Sequence, residues 1–364
     1  MAKGQRAFRN GVFFKAALCL SLATLSLQAF PADPTPAYHP VKEIPIAGDT
    51  GWDYLSIDAD ARRLYVTHGT HVVVIDLDSD AVVGDIADTP GVHGFAIAHS
   101  LRRGFSSNGT ESKVSVVDLK SLNTLAKVDT GDGPDAILYE PGHQEVYVFN
   151  GRGHSLTVIS APSQKVPAGD VTATAAPVVA TVPLPGKPEF PAADPQEGRV
   201  FVNIEDKNEV VALDTRTHQI VGVWPISPGE SASGMAIDVA HHRLFLGCEN
   251  HLMLMMDNKT GKVVASVPIG SGVDANAFDG QTQLAFSSNG EGTVTIAHED
   301  SPAQLTVVQT LQTQPSARTM ALDPKTHKIY LAAATFQQQD AAPAGTHHRR
   351  ATVPGTFKVL VYAP

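Results

Sequence analysis

The sequence predicts an all-β protein, a seven-bladed β-propeller of four-stranded antiparallel blades. A meander of short β-type runs recurs roughly every 40–44 residues, which is the spacing of propeller blades. Turns rich in Asp, Pro, Gly and His separate the runs, and no 11-residue window after residue 30 keeps a helical period. Since one meander cannot bury both of its faces, stacked copies must form the core.

The first copy shows the pattern most clearly. Its four runs cover residues 54–57, 64–67, 72–75 and 81–86, with polar turns between them. Seven copies are found when each is marked by the residue that opens its innermost strand: Asp53, His93, Asp135, Glu189, Ser233, Asp274 and Arg318. The number of markers therefore predicts seven blades.

The last copy has only three strands of its own, and it ends near residue 362. Residues 41–46 form an unpaired run of the fourth-strand type that precedes the first copy. We expect this N-terminal strand to complete the last blade. Closure of this kind leaves only short, protected sheet edges.

The second strands carry a recurring signature. Tyr65-Val66-Thr67-His68, Tyr147-Val148-Phe149-Asn150 and Phe286-Ser287-Ser288-Asn289-Gly290 resemble variants of the Tyr-Val-Thr-Asn motif of the YVTN-repeat (YncE-like) seven-bladed propellers. The resemblance covers about residues 41–363. It implies a secreted or periplasmic protein whose fold family neighbours lactonase-type and lyase propellers. It transfers no catalytic residue, because the signature is structural.

The N-terminus reads as a Sec-type secretory signal over residues 1–29, with cleavage after Ala29 or Ala32. Four basic residues precede an apolar stretch at 16–27 that is too short to span a membrane. Residues 30–40 are then a leader, and 41–364 form one propeller. We expect a soluble, monomeric protein that is periplasmic or secreted.

Composition narrows the choice of partner. The formal net charge of −10 becomes −14 once the signal is removed, because it contains four basic residues and no acidic one. An acidic chain without a basic stripe argues against binding to nucleic acid or to an anionic membrane. Small or cationic partners fit better. Cys248 is the one cysteine left after processing, and we expect it to be a small buried hydrophobe.

Two insertions interrupt the period. Residues 163–177 separate the third and fourth strands of blade three, and we expect a solvated loop there. Residues 336–356 separate the second and third strands of blade seven. Long loops of this kind are either functional covers or disordered, and the sequence leaves both alternatives open.

The candidate site is the mouth of the central channel. The fourth-to-first and second-to-third connections of a propeller emerge on one face, so the seven marker residues form a ring there, which we call the mouth ring. The second-to-third corners add an outer tier: His68, Asn108, Asn150, Glu205, Cys248, Glu249 and Asn289. Solvation of the channel explains polar residues at the mouth, and turn geometry explains the corner Asn residues. Histidines of the first-to-second turns, together with His298 and Glu299, are expected on the opposite face.

A functional reading rests on the unequal chemistry of the mouth ring, where one His and one Arg stand among four carboxylates. Asp53, His93 and Asp135 come from consecutive blades and could hold a divalent metal ion, a mixed N/O set that suits Zn²⁺, Mn²⁺ or Fe²⁺ better than Ca²⁺. The predicted ligand-binding residues are Asp53, His93, Asp135, Glu189, Glu205, Asp274, Arg318, Asn108, Asn150 and Asn289.

Three functions remain open from the sequence. The first is an exported binding protein that recognises a small polar or cationic ligand, or a partner protein, at the mouth. The second is a metal-dependent lyase or lactonase-like hydrolase, with His93 or His68 as general base and Arg318 stabilising an oxyanion. The third is a rigid scaffold within an envelope assembly. No phosphate loop, nucleophile elbow or zinc-protease motif supports another chemistry.

Overall fold

The computed structural model describes Met1 and residues 37–48, 51–161, 176–337 and 351–364. The predicted signal segment, most of the leader, and the central parts of both insertions lie outside the described residues. Among the described residues, no helix is long and apolar enough to cross a bilayer.

The described chain forms seven four-stranded antiparallel sheets, as the repeat predicts. The first three blades contain β2 (Trp52–Asp58), β3 (Arg63–His68), β4 (His71–Asp76) and β5 (Ala81–Ile86); β6 (Val92–Ala98), β7 (Arg103–Asn108), β8 (Lys113–Asp118) and β9 (Thr124–Asp129); and β10 (Pro134–Glu140), β11 (Glu145–Asn150), β12 (Ser155–Ser160) and β13 (Val178–Pro183).

Blades four to six repeat this order. They contain β14 (Pro188–Asp194), β15 (Arg199–Ile204), β16 (Glu209–Asp214) and β17 (Ile220–Pro225); β18 (Ala232–Asp238), β19 (Arg243–Cys248), β20 (Leu252–Asp257) and β21 (Val263–Pro268); and β22 (Val273–Asp279), β23 (Leu284–Asn289), β24 (Thr293–Ser301) and β25 (Gln304–Gln312). Single 3-10 turns at His99–Leu101 and Glu205–Lys207 are the helical elements of the described chain.

Blade seven closes the ring in the predicted way. Its own strands are β26 (Thr319–Leu322), β27 (Ile329–Ala333) and β28 (Lys358–Ala363), and the fourth is β1 (His39–Pro45), which pairs antiparallel with β28. The strand begins at His39, two residues before the predicted boundary. Tyr38 is also buried, and its hydroxyl donates to the carbonyl of His327 at 2.7 Å, so the end of the expected leader is part of the propeller.

The core lies between neighbouring blades rather than inside any one of them. The second and third strands consist largely of Val, Leu, Ile, Tyr and Phe, whose side chains are fully buried. Leu64 and Ile75 of blade one, for example, pack in one cluster with Tyr330 and Val359 of blade seven. Each such side chain contributes about 1.5–3 kcal/mol by leaving water. The fourth strands alternate and keep residues such as Val221 and Val223 exposed at the outer rim.

The segments predicted as insertions fall between β12 and β13 and between β27 and β28. The base of the second forms a β-bridge between Phe336 and Thr352. Trp52 stacks on Phe336, with ring centroids 6.0 Å apart, and on Phe357 at 5.1 Å. The base of the insertion is thus anchored beside β2, next to the mouth ring.

Cys248 is fully buried, as predicted, and burial raises the pKa of its thiol to about 12. At neutral pH the sulfur is a thiol rather than a thiolate, so it behaves as an apolar group within the core of blades four and five.

Candidate ligand-binding site at the channel mouth

Backbone hydrogen bonds join the two kinds of connection that form the mouth face. The N–H of Gly109 donates to the carbonyl of Gly91 at 2.9 Å, and Gly290 donates to Gly272 at 2.8 Å. In each pair the donor belongs to a second-to-third corner and the acceptor to the connection that enters the same blade. The corners and the starts of the inner strands therefore share one face.

A β-bulge sits at the start of six inner strands, and the mouth-ring residue lies within it. In β2 the register against β3 shifts between Trp52 and Leu55, which places Asp53 in the bulge. The same shift frames the ring residues of the next five blades: His93, Asp135, Glu189, Ser233 and Asp274. Bulges redirect side chains and are frequent beside functional sites. Arg318 directly precedes β26 and completes the ring.

Side chains of the second strands hold these bulges in place. In blade one the Oγ1 of Thr67 accepts from the N–H of Asp53 at 3.2 Å and donates to the carbonyl of Tyr54 at 3.0 Å. Elsewhere the bond reaches the next blade, as Asn203 Nδ2 donates to the carbonyl of Ser233 at 2.8 Å. The polar side chain at the third position of the YVTN-like motif thus holds the backbone of the mouth-ring residues in place.

Asp53, His93 and Asp135 meet as the sequence predicts. The Nδ1 of His93 lies 2.7 Å from Oδ2 of Asp53 and 3.5 Å from Oδ1 of Asp135. One potential ligand atom from each residue lies within 4.8 Å of the other two. The imidazole also packs over Gly109, where an added Cβ would come within 2.9 Å of the ring. This glycine is therefore part of the site.

A second group joins Glu189 to the outer tier. The Nζ of Lys187 lies 2.5 Å from Oε1 of Glu189 and 2.6 Å from Oε2 of Glu205. Lys187 precedes β14 in the connection that enters blade four. Its ammonium bridges the two carboxylates, so neither the cation nor its partners act alone.

A third group lies across blades five to seven. The Nε of Arg318 is 3.0 Å from Oδ2 of Asp274, and the hydroxyl of Ser233 donates to Oδ1 of Asp274 at 2.9 Å. Burial raises the pKa of Glu249, with the Glu205 carboxylate adding to the effect and Arg318 opposing it. Glu249 therefore belongs to the same electrostatic environment.

Aromatic rings lie directly beneath the carboxylates. Tyr54 packs edge to face on Phe190 at a centroid distance of 4.9 Å. Burial raises the pKa of Tyr54 far above its usual range, and the carboxylates of Asp135, Glu189, Asp53 and Asp274 raise it further. Tyr54 and Phe190 also line a cavity of about 290 Å³ beside the inner strands of blades one to four.

The mouth carries excess negative charge. Among the described residues of these groups, six are carboxylates, opposed by the two cations Lys187 and Arg318: Asp53, Asp135, Glu189, Glu205, Glu249 and Asp274. Burial, together with Asp53, raises the pKa of both Asp135 and Asp274 to about 6, although His93 and Arg318 respectively oppose the rise. Burial and Asp135 also raise the pKa of Glu189. Crowded carboxylates of this kind favour a cation or a proton.

Four residues of the sequence-based site lie inside the blades instead. Asn108, Asn150 and Asn289 are fully buried, and each amide donates to hydroxyl groups of its own blade, as Asn289 Nδ2 does to Thr293 and Thr295. His68 is also fully buried and stacks on Phe357 at 4.3 Å. These side chains present no surface to a ligand at the mouth. Turn geometry or packing within the blade explains why these polar residues occur there.

Sequence reasoning did not select Lys187, Tyr54 or Phe190. Lys187 lies one residue before a strand, where period-2 patterns end, and nothing in its neighbours marks it as a bridge. Tyr54 and Phe190 each follow a ring residue directly. The aromatic residue that follows these two markers was the available signal, but a bulge cannot be recognised from a period-2 pattern.

Comparison with known proteins supports the fold and goes no further. No family model matches the chain, and no curated protein matches it either. Among solved structures, the WD40 repeats of RRP9 superpose with a TM-score of 0.73 at 9% sequence identity, covering 89% of this chain and 98% of that one. The chain is a seven-bladed β-propeller, and the YVTN-repeat resemblance stays a prediction.

Proposed function

We propose that this protein is an exported binding protein that captures a small organic cation at the mouth of its propeller. The propeller fold is compatible with a binding or scaffold role by analogy alone, so the proposal rests on the site. The observation that carries the proposal is the excess of carboxylates in the three groups described above, six against two cations, with largely buried acids that resist ionisation. A cationic ligand relieves that repulsion and gains charge-assisted hydrogen bonds.

The two fixed cations favour this choice over an anionic ligand. Arg318 is already paired with Asp274, and Lys187 bridges Glu189 and Glu205. An incoming anion would have to break one of these pairs and then face the remaining carboxylates. The carboxylates of these pairs are largely buried, so losing the cation would leave them without a partner at a greater cost than in a fully exposed ion pair.

Depth favours a small ligand over a flat protein surface. The side chains of Asp53, Asp135 and Asp274 are each about four-fifths buried, and Glu189 is more buried still. Only groups that enter the mouth can reach them. A protruding Lys or Arg of a partner protein meets the same condition, and we treat it as an outcome of the test.

The test is calorimetric titration of the tag-free protein with agmatine, putrescine and choline, with urea and succinate as neutral and anionic probes. We expect at least one cation to bind at pH 8, and the double variant Asp53→Asn/Asp135→Asn to lose at least about tenfold in affinity, because two charge-assisted contacts are weakened. Asp129→Asn, on an exposed outer carboxylate, is the control. Binding of succinate alone, or cation binding unchanged in the double variant, would contradict the proposal.

A metal-dependent hydrolase or lyase is the second candidate, and the Asp53–His93–Asp135 cluster favours it. One imidazole and two carboxylates fit the ligand preferences of Zn²⁺, Mn²⁺ or Fe²⁺, ions that activate a bound water. Two of its predicted catalytic residues are poorly placed, however, because His68 is buried and the charge of Arg318 is committed to Asp274. Elemental analysis of tag-free protein separates the candidates, since the enzyme requires a stoichiometric metal that His93→Gln removes.

Export is part of the proposal and rests on the sequence of residues 1–29. Mass spectrometry of the protein recovered from a bacterial periplasm or medium should give a mature N-terminus at Phe30 or Asp33, after cleavage at Ala29 or Ala32. An intact N-terminus on protein confined to the cytoplasm would remove this part of the proposal without affecting the mouth site.

A further inference from the structure

The face opposite the mouth has its own repeated carboxylate. The inner strand ends at, or one residue before, an acidic side chain in six blades: Asp58, Glu140, Asp194, Asp238, Asp279 and Asp323. One oxygen accepts backbone N–H groups of the following turn, as Oδ1 of Asp58 does from Asp60 and Ala61. This local role explains why an acid recurs there.

The second oxygen of this acid usually receives a donor from the next blade. Asp58 Oδ2 lies 2.8 Å from Nδ1 of His99, and Asp279 Oδ2 lies 2.6 Å from Nδ1 of His327. Asp194 receives Nδ2 of Asn258 at 3.1 Å. A buried carboxylate is thereby satisfied across each of these blade junctions.

The junction between blades five and six departs from this rule. The residue that corresponds to Asn258 in blade six is Glu299. Both residues come directly after the segment of the third strand that pairs with the second strand. The backbone N–H of each donates to the carbonyl of the residue that precedes the second strand. Asp194 is therefore paired with the amide of Asn258, whereas the residue at the equivalent position beside Asp238 is a second carboxylate, Glu299.

Hydrogen bonds within the described chain do not explain the burial of Glu299. Its side chain is 1% exposed, and neither of its oxygens accepts a hydrogen bond from the part of the chain that the structure describes. Burial and the nearby Asp238 raise the pKa of Glu299 to about 7. The neighbouring Arg243 opposes this rise only in part, because its guanidinium is bonded to Asp257 at 2.7 Å and to the carbonyl of Pro302 at 2.6 Å. A buried pair of acids requires a cation or a shared proton.

His241 completes the cluster and opens it to solvent. Its Nδ1 lies 2.6 Å from Oδ2 of Asp238 and 3.5 Å from Oε1 of Glu299, and the three atoms lie within 4.8 Å of one another. The His241 side chain is 41% exposed, which leaves an entry path. Tetrahedral metal bonds of about 2.1 Å place ligand atoms roughly 3.4 Å apart, so Asp238 and His241 must separate by about 0.8 Å, a shift within side-chain freedom.

We propose that Asp238, His241 and Glu299 form a divalent transition-metal site of the zinc class, which joins blades five and six on the face opposite the mouth. One imidazole and two carboxylates supply three ligands, and water completes the coordination. The site is independent of the function proposed for the mouth. Its role is structural: the metal replaces the hydrogen bond or ion pair that Asp58, Asp194, Asp279 and Asp323 make to a neighbouring blade.

The experiment uses tag-free full-length protein carrying Asp53→Asn and Asp135→Asn, which removes the second such cluster found among the described residues. Zn²⁺ titration by calorimetry at pH 7.5 should give one site per chain and raise the melting temperature. Co²⁺ should give the visible spectrum of a low-coordinate N/O site. Glu299→Asn should lower the Zn²⁺ affinity by more than about 100-fold, beyond the 10–100-fold typical of losing a group that only supports a ligand.

Glu299→Asn also guards against a folding artefact, since it recreates the Asn258 donor of the preceding junction and should leave the metal-free protein at least as stable as its parent. His298→Gln is the matched control, because it removes an adjacent histidine that pairs with Asp300 outside the cluster. No zinc bound in the Asp53→Asn/Asp135→Asn protein, or an affinity unchanged by both Glu299→Asn and His241→Gln, would overturn the proposal. So would a melting temperature that rises with acidification but never with metal, which is the signature of a shared proton.

Discussion

The seven residues of the mouth ring occupy one strand position and differ in chemistry. The bulge gives six of them the same backbone setting, so the differences in charge among those six are not imposed by the fold. Burial raises the pKa of Asp135 and of Asp274, and the carboxylate of Asp53 raises both further. The site is therefore a group of carboxylic acids whose ionised forms are destabilised, and such groups are common at functional sites.

Asp135→Asn should stabilise the protein at neutral pH. The pKa of Asp135 is about 6 in the folded protein and near 3.8 when unfolded, so the folded state binds the proton more tightly. Its favourable contribution is complete below about pH 4 and is lost as pH rises through 6. Because asparagine does not ionise, the variant does not lose stability in this way.

The melting temperature of the Asp135→Asn variant should exceed that of the wild type by about 1–3 °C at pH 7.5. The increase is small because Asp135 keeps some solvent contact. At pH 4 the two melting temperatures should be equal. Differential scanning calorimetry at both pH values, with Asp129→Asn as control, makes the comparison. An identical difference at the two pH values would show that the carboxylate is not perturbed.

Gly109→Ala should weaken cation binding without unfolding the blade. The added Cβ would lie 2.9 Å from the His93 ring, which must move away from Asp53 and Asp135. We expect a loss of about three- to tenfold in affinity for the tightest cation of the probe panel, equivalent to roughly 1 kcal/mol. Gly51→Ala is the control, because its Cβ meets nothing within 4 Å. Equal affinities for the two variants would separate His93 from the site.

The sequence identified the ring residues but not all of their roles. Polar markers at the strand starts predicted the convergence of Asp53, His93 and Asp135, since equivalent positions of a closed repeat must face one axis. The burial of His68 against Phe357 could not be predicted, because that contact joins residues nearly 300 positions apart and depends on how blade seven closes. Glu299 was set aside for the same reason: its partners belong to another blade.

At the scale of the blade, the inner strand and its bulge connect sequence to site. The meander and its strand order follow from turns and period-2 runs, and they were predictable. The bulges were not, since one extra residue at a strand start looks like an ordinary turn residue. The second strand compensates by supplying Thr67, Ser107, Asn203 or Ser288 to bond the bulged backbone.

Thr67→Val should damage both stability and binding. The substitution keeps the shape but removes the hydroxyl that bonds the N–H of Asp53 and the carbonyl of Tyr54 in a fully buried position. Stranding these groups should cost about 1–3 kcal/mol of unfolding free energy. Urea denaturation measures it, alongside agmatine affinity.

Thr181→Val provides the control, because Thr181 is exposed on an outer strand, and its change should stay within about 0.5 kcal/mol. If Thr67→Val proves as mild as the control, the hydroxyl does not support the bulge.

At the scale of the molecule, closure of the ring determines whether the mouth exists at all. β1 supplies the outer strand of blade seven, and Arg62 of blade one reaches the buried Asp323 of blade seven, with Nη1 2.7 Å from Oδ2. Hydrogen bonds from Arg62 and Thr326 lower the pKa of Asp323 despite its burial. The carboxylate is therefore ionised and relies on this partner.

Arg62→Ala should cost about 2–4 kcal/mol of unfolding free energy, because it leaves a buried charge without its cation. Lys325→Ala tests the same junction at the surface, where Lys325 pairs with Asp60 while both side chains are half exposed or more. That change should remain below about 1 kcal/mol. Chemical denaturation at pH 7 compares the two. Similar costs would mean that the buried pair is not what joins the first and last blades.

Proton release on ligand binding tests the central claim, that carboxylates at the mouth hold an organic cation. The tightest cation of the probe panel should be titrated at pH 6 in buffers of different ionisation enthalpy. Because Asp135 and Asp274 are about half protonated at that pH, a cation that pairs with their ionised forms must release protons. We predict release of roughly 0.5–1 proton per ligand, vanishing in Asp135→Asn/Asp274→Asn together with most of the affinity. Binding with no proton exchange, or the same exchange in the double variant, would contradict the account.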